Sequence, residues 1–146
     1  ISTSKYLTMA ILPSRQAIVY LFESCQQESI ARRESFPKHL SEQDLERVVS
    51  VIQSADQSVF GVKTNDSLIK QISHIIFQMN KQHILSDGNK RFSLLIALYL
   101  CEQNQLTHSK MSAADWEMYI MRIASDGQFS KEQATEYLEE KLKPVS

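Results

Sequence analysis

The chain has 146 residues, 42% of them apolar and 23% charged, enough for one domain with a proper core and unlike a disordered, coiled-coil or collagen-like chain. Lys plus Arg (16) nearly cancels Asp plus Glu (17), so the net charge of −1 supplies no whole-molecule field, and neither nucleic acid nor a membrane is an expected partner. The three glycines, Gly61, Gly88 and Gly127, stand too far apart for a dinucleotide fingerprint, a Walker P-loop, a kinase glycine loop or a Gly-x-Ser-x-Gly elbow.

The chain opens on Ile1 rather than Met, which leaves open a fragment or a processed form. Lys5 precedes only a short apolar stretch, cut by Pro13 and Arg15, a poor signal peptide. The longest apolar run, residues 94–101, is too short to span a bilayer, and a cytoplasmic location is expected. After Pro13-Ser14, residues 15–26 read as an apolar helix. Ser41-Glu42-Gln43-Asp44 has the form of a capping box, followed by Leu45, Val48, Val49 and Ile52 at helical spacing. Val59, Phe60 and Val62 around Gly61 predict a short extended hairpin or arm over residues 58–64.

Asn65 or Asp66 is expected to cap the next helix, with its stripe of Leu68, Ile69, Ile72, Ile75, Ile76 and Met79. Residues 90–103 are apolar almost all round, the mark of a helix in the middle of a bundle. Ser112 and Ser130 open two further helices, with Gly127 in the turn between them. Cys25 and Cys101 sit among apolar helical residues and read as buried free thiols. The expected architecture is one all-α domain over residues 1–146 with a short extended arm.

One segment breaks local rules. Asp87-Gly88-Asn89 is a turn, and the buried helix starts directly after it, so Lys90 and Arg91 occupy a first helical turn that already carries partial positive charge. A bound anion resolves that conflict. Backbone N–H groups near Gly88 and Asn89, with two cationic side chains, make a phosphate cradle, and Gly88 lets the backbone approach a ligand. A carboxylate at Asp87 would repel phosphate unless a divalent cation bridges them, as Mg²⁺ does with one or two carboxylates. His83, just upstream, offers an imidazole to take a proton from an attacking hydroxyl. Singly, each residue has a plain alternative: Asp87 as an N-cap, Lys90 and Arg91 as solvated charge, His83 as a loop residue. Together and in order they read as a Mg²⁺-nucleotide site with a histidine base. His39, His74, His83 and His108 show no metal-ligand spacing.

The string His83-Ile84-Leu85-Ser86-Asp87-Gly88-Asn89-Lys90-Arg91 resembles the signature of the Fic/Doc (Fido) family, H-x-F-x-[DE]-G-N-[GK]-R. The resemblance runs roughly over residues 60–103. It implies a Fido-type helical bundle that modifies hydroxyls of target proteins with a nucleotide. By position, His83 would be the general base toward a target Ser, Thr or Tyr, and Asp87 would hold Mg²⁺ on the phosphates of ATP or another nucleoside triphosphate. Gly88 and Asn89 would form the anion hole, and Lys90 and Arg91 would complete the phosphate corner. Phe60, Gly61, Val62 and Lys63 would be the flap that aligns the target segment by strand-like pairing.

Leu85 replaces the family's usual Phe, Lys90 stands where AMP-transferring members have Gly, and Leu94 stands where they carry a second Arg. The last two departures point toward the Doc-type branch, in which the terminal phosphate rather than AMP is transferred. Ser24-Cys25-Gln26-Gln27-Glu28-Ser29 matches the family's inhibitory pattern [ST]-x-x-x-E-[GN] except at its last place. Its Glu would pair with the second motif Arg, which Leu94 cannot replace, so restraint is expected from a separate partner such as a small antitoxin. Two other classes compete with an active transferase. One is a Fido-shaped binding module without turnover; the other is an unrelated helical adaptor. An intact His83 and Asp87 favour activity.

Overall fold

Serine hydroxyls set the helix starts. In the structure, a computed structural model that describes residues 10–145, Ser14, Ser41, Ser67, Ser112 and Ser130 each accept a backbone N–H from the first turn at 3.0–3.2 Å. They open α1 (Arg15–Ala31), α2 (Glu42–Ser54), α3 (Leu68–Gln82), α5 (Ala113–Ser125) and α6 (Lys131–Lys141). Ser112 and Ser130 complete reciprocal capping boxes with Asp115 and Gln133. At Ser41 only the forward bond forms, because the Asp44 carboxylate turns toward Arg47 at 3.8 Å. The expected cap at Asn65 or Asp66 is corrected to Ser67. Asp66 instead pairs with Lys70 one turn on, at 2.8 Å, and Asn65 is buried against the Ala55 carbonyl. α1 also runs one turn beyond residue 26. Lys5 and the stretch up to residue 9, weighed as a leader, lie outside the described residues.

The remaining helix, α4 (Asn89–Gln103), is the central one. None of residues 91–101 is exposed, and α4 packs against α1, α3 and α5. Ile72, Ile75, Ile76 and Met79 of α3 meet Phe92, Ile96 and Leu100 of α4 in a core whose side chains are essentially inaccessible. Each such side chain contributes about 1.5–3 kcal/mol relative to exposure, so this seam fixes the relation of α3 to α4 and of everything on the loop between them.

Two small antiparallel ribbons complete the fold. β1 (Ser58–Val59) pairs with β2 (Val62–Lys63), Val59 opposite Val62, around a Phe60-Gly61 turn with both residues at positive φ. The predicted arm is this hairpin. A second ribbon, not foreseen, pairs β3 (Leu106–Thr107) with β4 (Lys143–Pro144), tying the chain's end back to the exit of α4. The fold is therefore all-α, as expected, with only two-residue strands. Cys25 and Cys101 are free and buried, and burial pushes their thiols up to about 11 and about 12, so both stay protonated. Among the described residues no helix is long and apolar enough to cross a membrane.

Candidate active site

The α3–α4 loop begins with a costly residue. His83 ends α3 in the left-handed region, φ 49° and ψ 56°, which costs a side-chain-bearing residue about 1–2 kcal/mol. The loop's anchors hold it there. Ile84 and Leu85 are buried in the core, so Leu85 still fills the apolar place of the signature's Phe. Arg47, on α2, donates to the carbonyls of Gln82 and Ile84 at 3.3 and 3.2 Å, one on either side of His83. Buried Asn89 grips the loop from its far end. Its Oδ1 accepts the Leu85 N–H at 2.9 Å, and its Nδ2 donates to the Leu85 carbonyl at 2.8 Å. That pairing leaves Nδ2 3.4 Å from His83 Nδ1, too long to impose a tautomer on the ring.

Gly88 turns the chain into α4 at φ 77°. A β-carbon there would lie 2.3 and 2.4 Å from Cδ1 and Cε1 of Phe36, so both the dihedral and the contact demand glycine. No side chain caps α4. The N–H of Gly88 donates to Asp87 Oδ1 at 2.8 Å, whereas those of Asn89, Lys90 and Arg91 find no partner among the described residues. The positive end of the central helix is thus left open. One turn further in, the Ser93 hydroxyl donates to the Lys90 carbonyl and accepts from Asn80 Nδ2, both at 2.9 Å, lashing this open turn to α3.

The connection between α1 and α2 lies across the same corner. Arg91 donates to the Ser35 carbonyl, its Nε stands 3.7 Å from the Glu34 carboxylate, and its guanidinium lies 5.7 Å from the Phe36 ring centre. The Ser35 hydroxyl and the Gly88 N–H, with Arg91 and Lys90 behind them, hold the Asp87 carboxyl below the usual carboxylate range. It is ionised at neutral pH.

These groups share an open cavity of about 430 Å³. His83 and residues 86–91 form one wall, and Arg32 and Glu34 come in from the α1–α2 connection. Leu94 and the α5 residues Ile120, Met121 and Ala124 form an apolar wall, with exposed Glu117 beside it. All six motif residues singled out in the sequence, His83, Asp87, Gly88, Asn89, Lys90 and Arg91, therefore meet at one cavity. The hairpin tip does not line it: Phe60 is wholly exposed, and Val62 largely so. Glu28 pairs with Arg32 at 3.1 Å and also stays off the cavity wall. Arg32, Glu34, Ser35, Phe36, Arg47 and Asn80 escaped sequence reading. No spacing links residues so distant in the chain to the motif, and the Arg32-Arg33-Glu34 cluster reads as ordinary surface charge.

The donor set fits a phosphate chain carrying a divalent cation. Arg32, Lys90, Arg91 and the open helix end supply positive charge, and Asp87 supplies one ionised carboxylate. Among the described residues no three carboxylate, imidazole or thiol side chains gather into a metal cage. An ion held here would take Asp87 together with phosphate and water oxygens, the coordination Mg²⁺ favours.

No curated protein matches this chain. A model of the Fic/DOC family matches residues 15–101, from the first turn of α1 to the last turn of α4, and so spans both the β1–β2 hairpin and the whole motif loop. With the buried central helix, the uncapped glycine turn and the histidine at the cavity wall in their expected places, that match places the chain in the Fic/DOC family.

Proposed function

We propose that this protein transfers the terminal phosphate of a nucleoside triphosphate to a Ser, Thr or Tyr hydroxyl of a target protein. The family generally transfers AMP or phosphate to proteins. The choice of phosphate is carried by one observation, the polarity of the cavity. Arg32, Lys90, Arg91 and His83 line it with polar groups, while Leu94, one turn after the motif, and Ile120, Met121 and Ala124 of α5 give it an apolar wall. A nucleotide seated with its base on the apolar wall runs its phosphates toward the motif, terminal phosphate first. Leu94 belongs to that wall, where AMP-transferring relatives would have a phosphate-binding Arg.

In this reading the His83 imidazole takes the proton of the target hydroxyl as its oxygen attacks the γ-phosphorus. The new O–P bond forms as the bond to the β,γ-bridging oxygen breaks, and the nucleoside diphosphate leaves with that electron pair. Lys90, Arg91 and the free N–H groups of the α4 end stabilise the charge that spreads over the phosphoryl oxygens. Asp87 would hold Mg²⁺, which when bound neutralises phosphate charge. The flap residues Phe60, Gly61, Val62 and Lys63 would pair with the target segment and set its hydroxyl against His83.

Incubation with a cell lysate and ATP or GTP labelled at the α or the γ position tests the direction of transfer. Label in protein is expected from the γ position alone. Label from the α position would establish AMP-type transfer in its place. His83→Ala should abolish transfer and keep nucleotide binding, and Asp87→Ala should remove the Mg²⁺-dependent part of binding. A protein that binds nucleotide but labels nothing would be the silent binding module, and one that binds none would be the adaptor.

A further inference from the structure

The α5 wall of the cavity carries a charge that the transfer chemistry does not use. Glu117, Ile120, Met121 and Ala124 follow one another at i, i+3, i+4 and i+7, so they form a single stripe on α5, and all four line the same cavity as the motif. Met121 is 48% exposed although it borders a buried stretch of helix. A large thioether left open in a cavity that Leu94 also lines makes a platform for a flat ring. Among the described residues Glu117 has neither an ion-pair nor a hydrogen-bond partner, whereas Arg122 on the same helix is matched by Asp126. A lone carboxylate facing the cavity repels phosphate, so it reinforces the direction of the nucleotide: phosphates toward Arg32, Lys90 and Arg91, base toward α5.

A carboxylate only accepts hydrogen bonds. Guanine presents two adjacent N–H donors, N1–H and the 2-amino group, on one edge, a bidentate match to two carboxylate oxygens. Adenine presents its 6-amino group next to the N1 lone pair, which faces the carboxylate with repulsion. Cytosine has the same donor-beside-acceptor edge, and the single N3–H of uracil lies between two carbonyls. We infer that Glu117 reads the nucleobase, and that this site prefers a guanine nucleotide over an adenine nucleotide. The inference rests on the nucleotide reading of the motif corner and adds its base specificity.

Calorimetric titration of the full chain in Mg²⁺ with GTP, ITP, ATP, dGTP and inorganic tripolyphosphate tests it. GTP is expected to bind about tenfold more tightly than ATP, the order of discrimination one bidentate pair provides. ITP, which lacks the 2-amino group, should fall between them, and dGTP should match GTP. Glu117→Gln, an exposed substitution that leaves the core intact, should bring GTP down to the level of ATP without weakening tripolyphosphate. Equal binding of GTP and ATP, or a preference that survives Glu117→Gln, would overturn the assignment. So would a loss with dGTP as large as that with ATP, because the carboxylate would then be reading ribose. If tripolyphosphate binds while base selectivity is missing, only this inference fails; if tripolyphosphate and every nucleotide fail to bind, the phosphate corner fails with it.

Discussion

Replacing Gly88 by alanine forces a methyl group into space held by an aromatic ring. The backbone stays at φ 77° only against a left-handed penalty of about 1–2 kcal/mol. The new carbon would also meet Phe36 at 2.3 Å, and overpacking of this kind costs about 1–3 kcal/mol. Phe36 cannot retreat freely. It packs on Phe22 with ring centres 5.1 Å apart, and Phe22 packs on Phe92 of the central helix at 5.8 Å. The sum, about 2–5 kcal/mol, lowers Tm by roughly 5–20 °C for a chain of this length. Differential scanning calorimetry of Gly88→Ala, Phe36→Ala and the double variant separates the two contributions. Phe36→Ala removes the clash and leaves the dihedral penalty, so the double variant should be more stable than the summed single losses by about 1–3 kcal/mol. Strict additivity, or a Tm shift below about 2 °C in Gly88→Ala, would refute the steric argument.

Glu34→Gln removes the carboxylate beside Arg91 and should tighten tripolyphosphate binding about two- to fivefold, since partly exposed pairs are worth at most about 1 kcal/mol; calorimetry that finds equal or weaker binding contradicts competition at Arg91. His74 accepts from Lys131 at 2.7 Å, and burial, with the Lys131 charge second, lowers its pKa from 6.5 to about 4. Its folded-state value is depressed, so the unfolded chain binds more protons between these limits. The contribution is full above pH 6.5 and fades as pH falls toward 4, by about 1–2 kcal/mol after discounting for the ring's partial exposure. Urea unfolding from pH 7 down to 4.5 measures it, and His74→Gln should flatten the slope across that interval. Phe60→Ala should leave stability within about 0.5 kcal/mol, because the ring touches only solvent, yet lower transfer to a protein target without changing nucleotide binding; equal labelling of the target would remove the flap from target docking.

Local chemistry made much of this protein legible from the chain alone. Ser14, Ser41, Ser112 and Ser130 announce their helices because a cap is a bond to the next two or three residues. Leu68, Ile72, Ile75 and Met79 declare their face because helical spacing puts them on it. The strand-prone residues around Gly61 declare the hairpin in the same way. The run from His83 to Arg91 stood out because cations at a helix start and a glycine turn contradict ordinary helix chemistry, and such contradictions collect where a ligand belongs. Tertiary structure alone decided what surrounds that run. Arg47 on the Gln82 and Ile84 carbonyls, Glu34 and Ser35 on Arg91, Phe36 against Gly88 and Glu117 in the cavity wall all reach the motif through space, with no sequence period linking them to it. Their positions follow from how α1, α2 and α5 pack on the buried central helix. That packing is set by side-chain shape and burial summed over the whole core, which no local window of sequence contains.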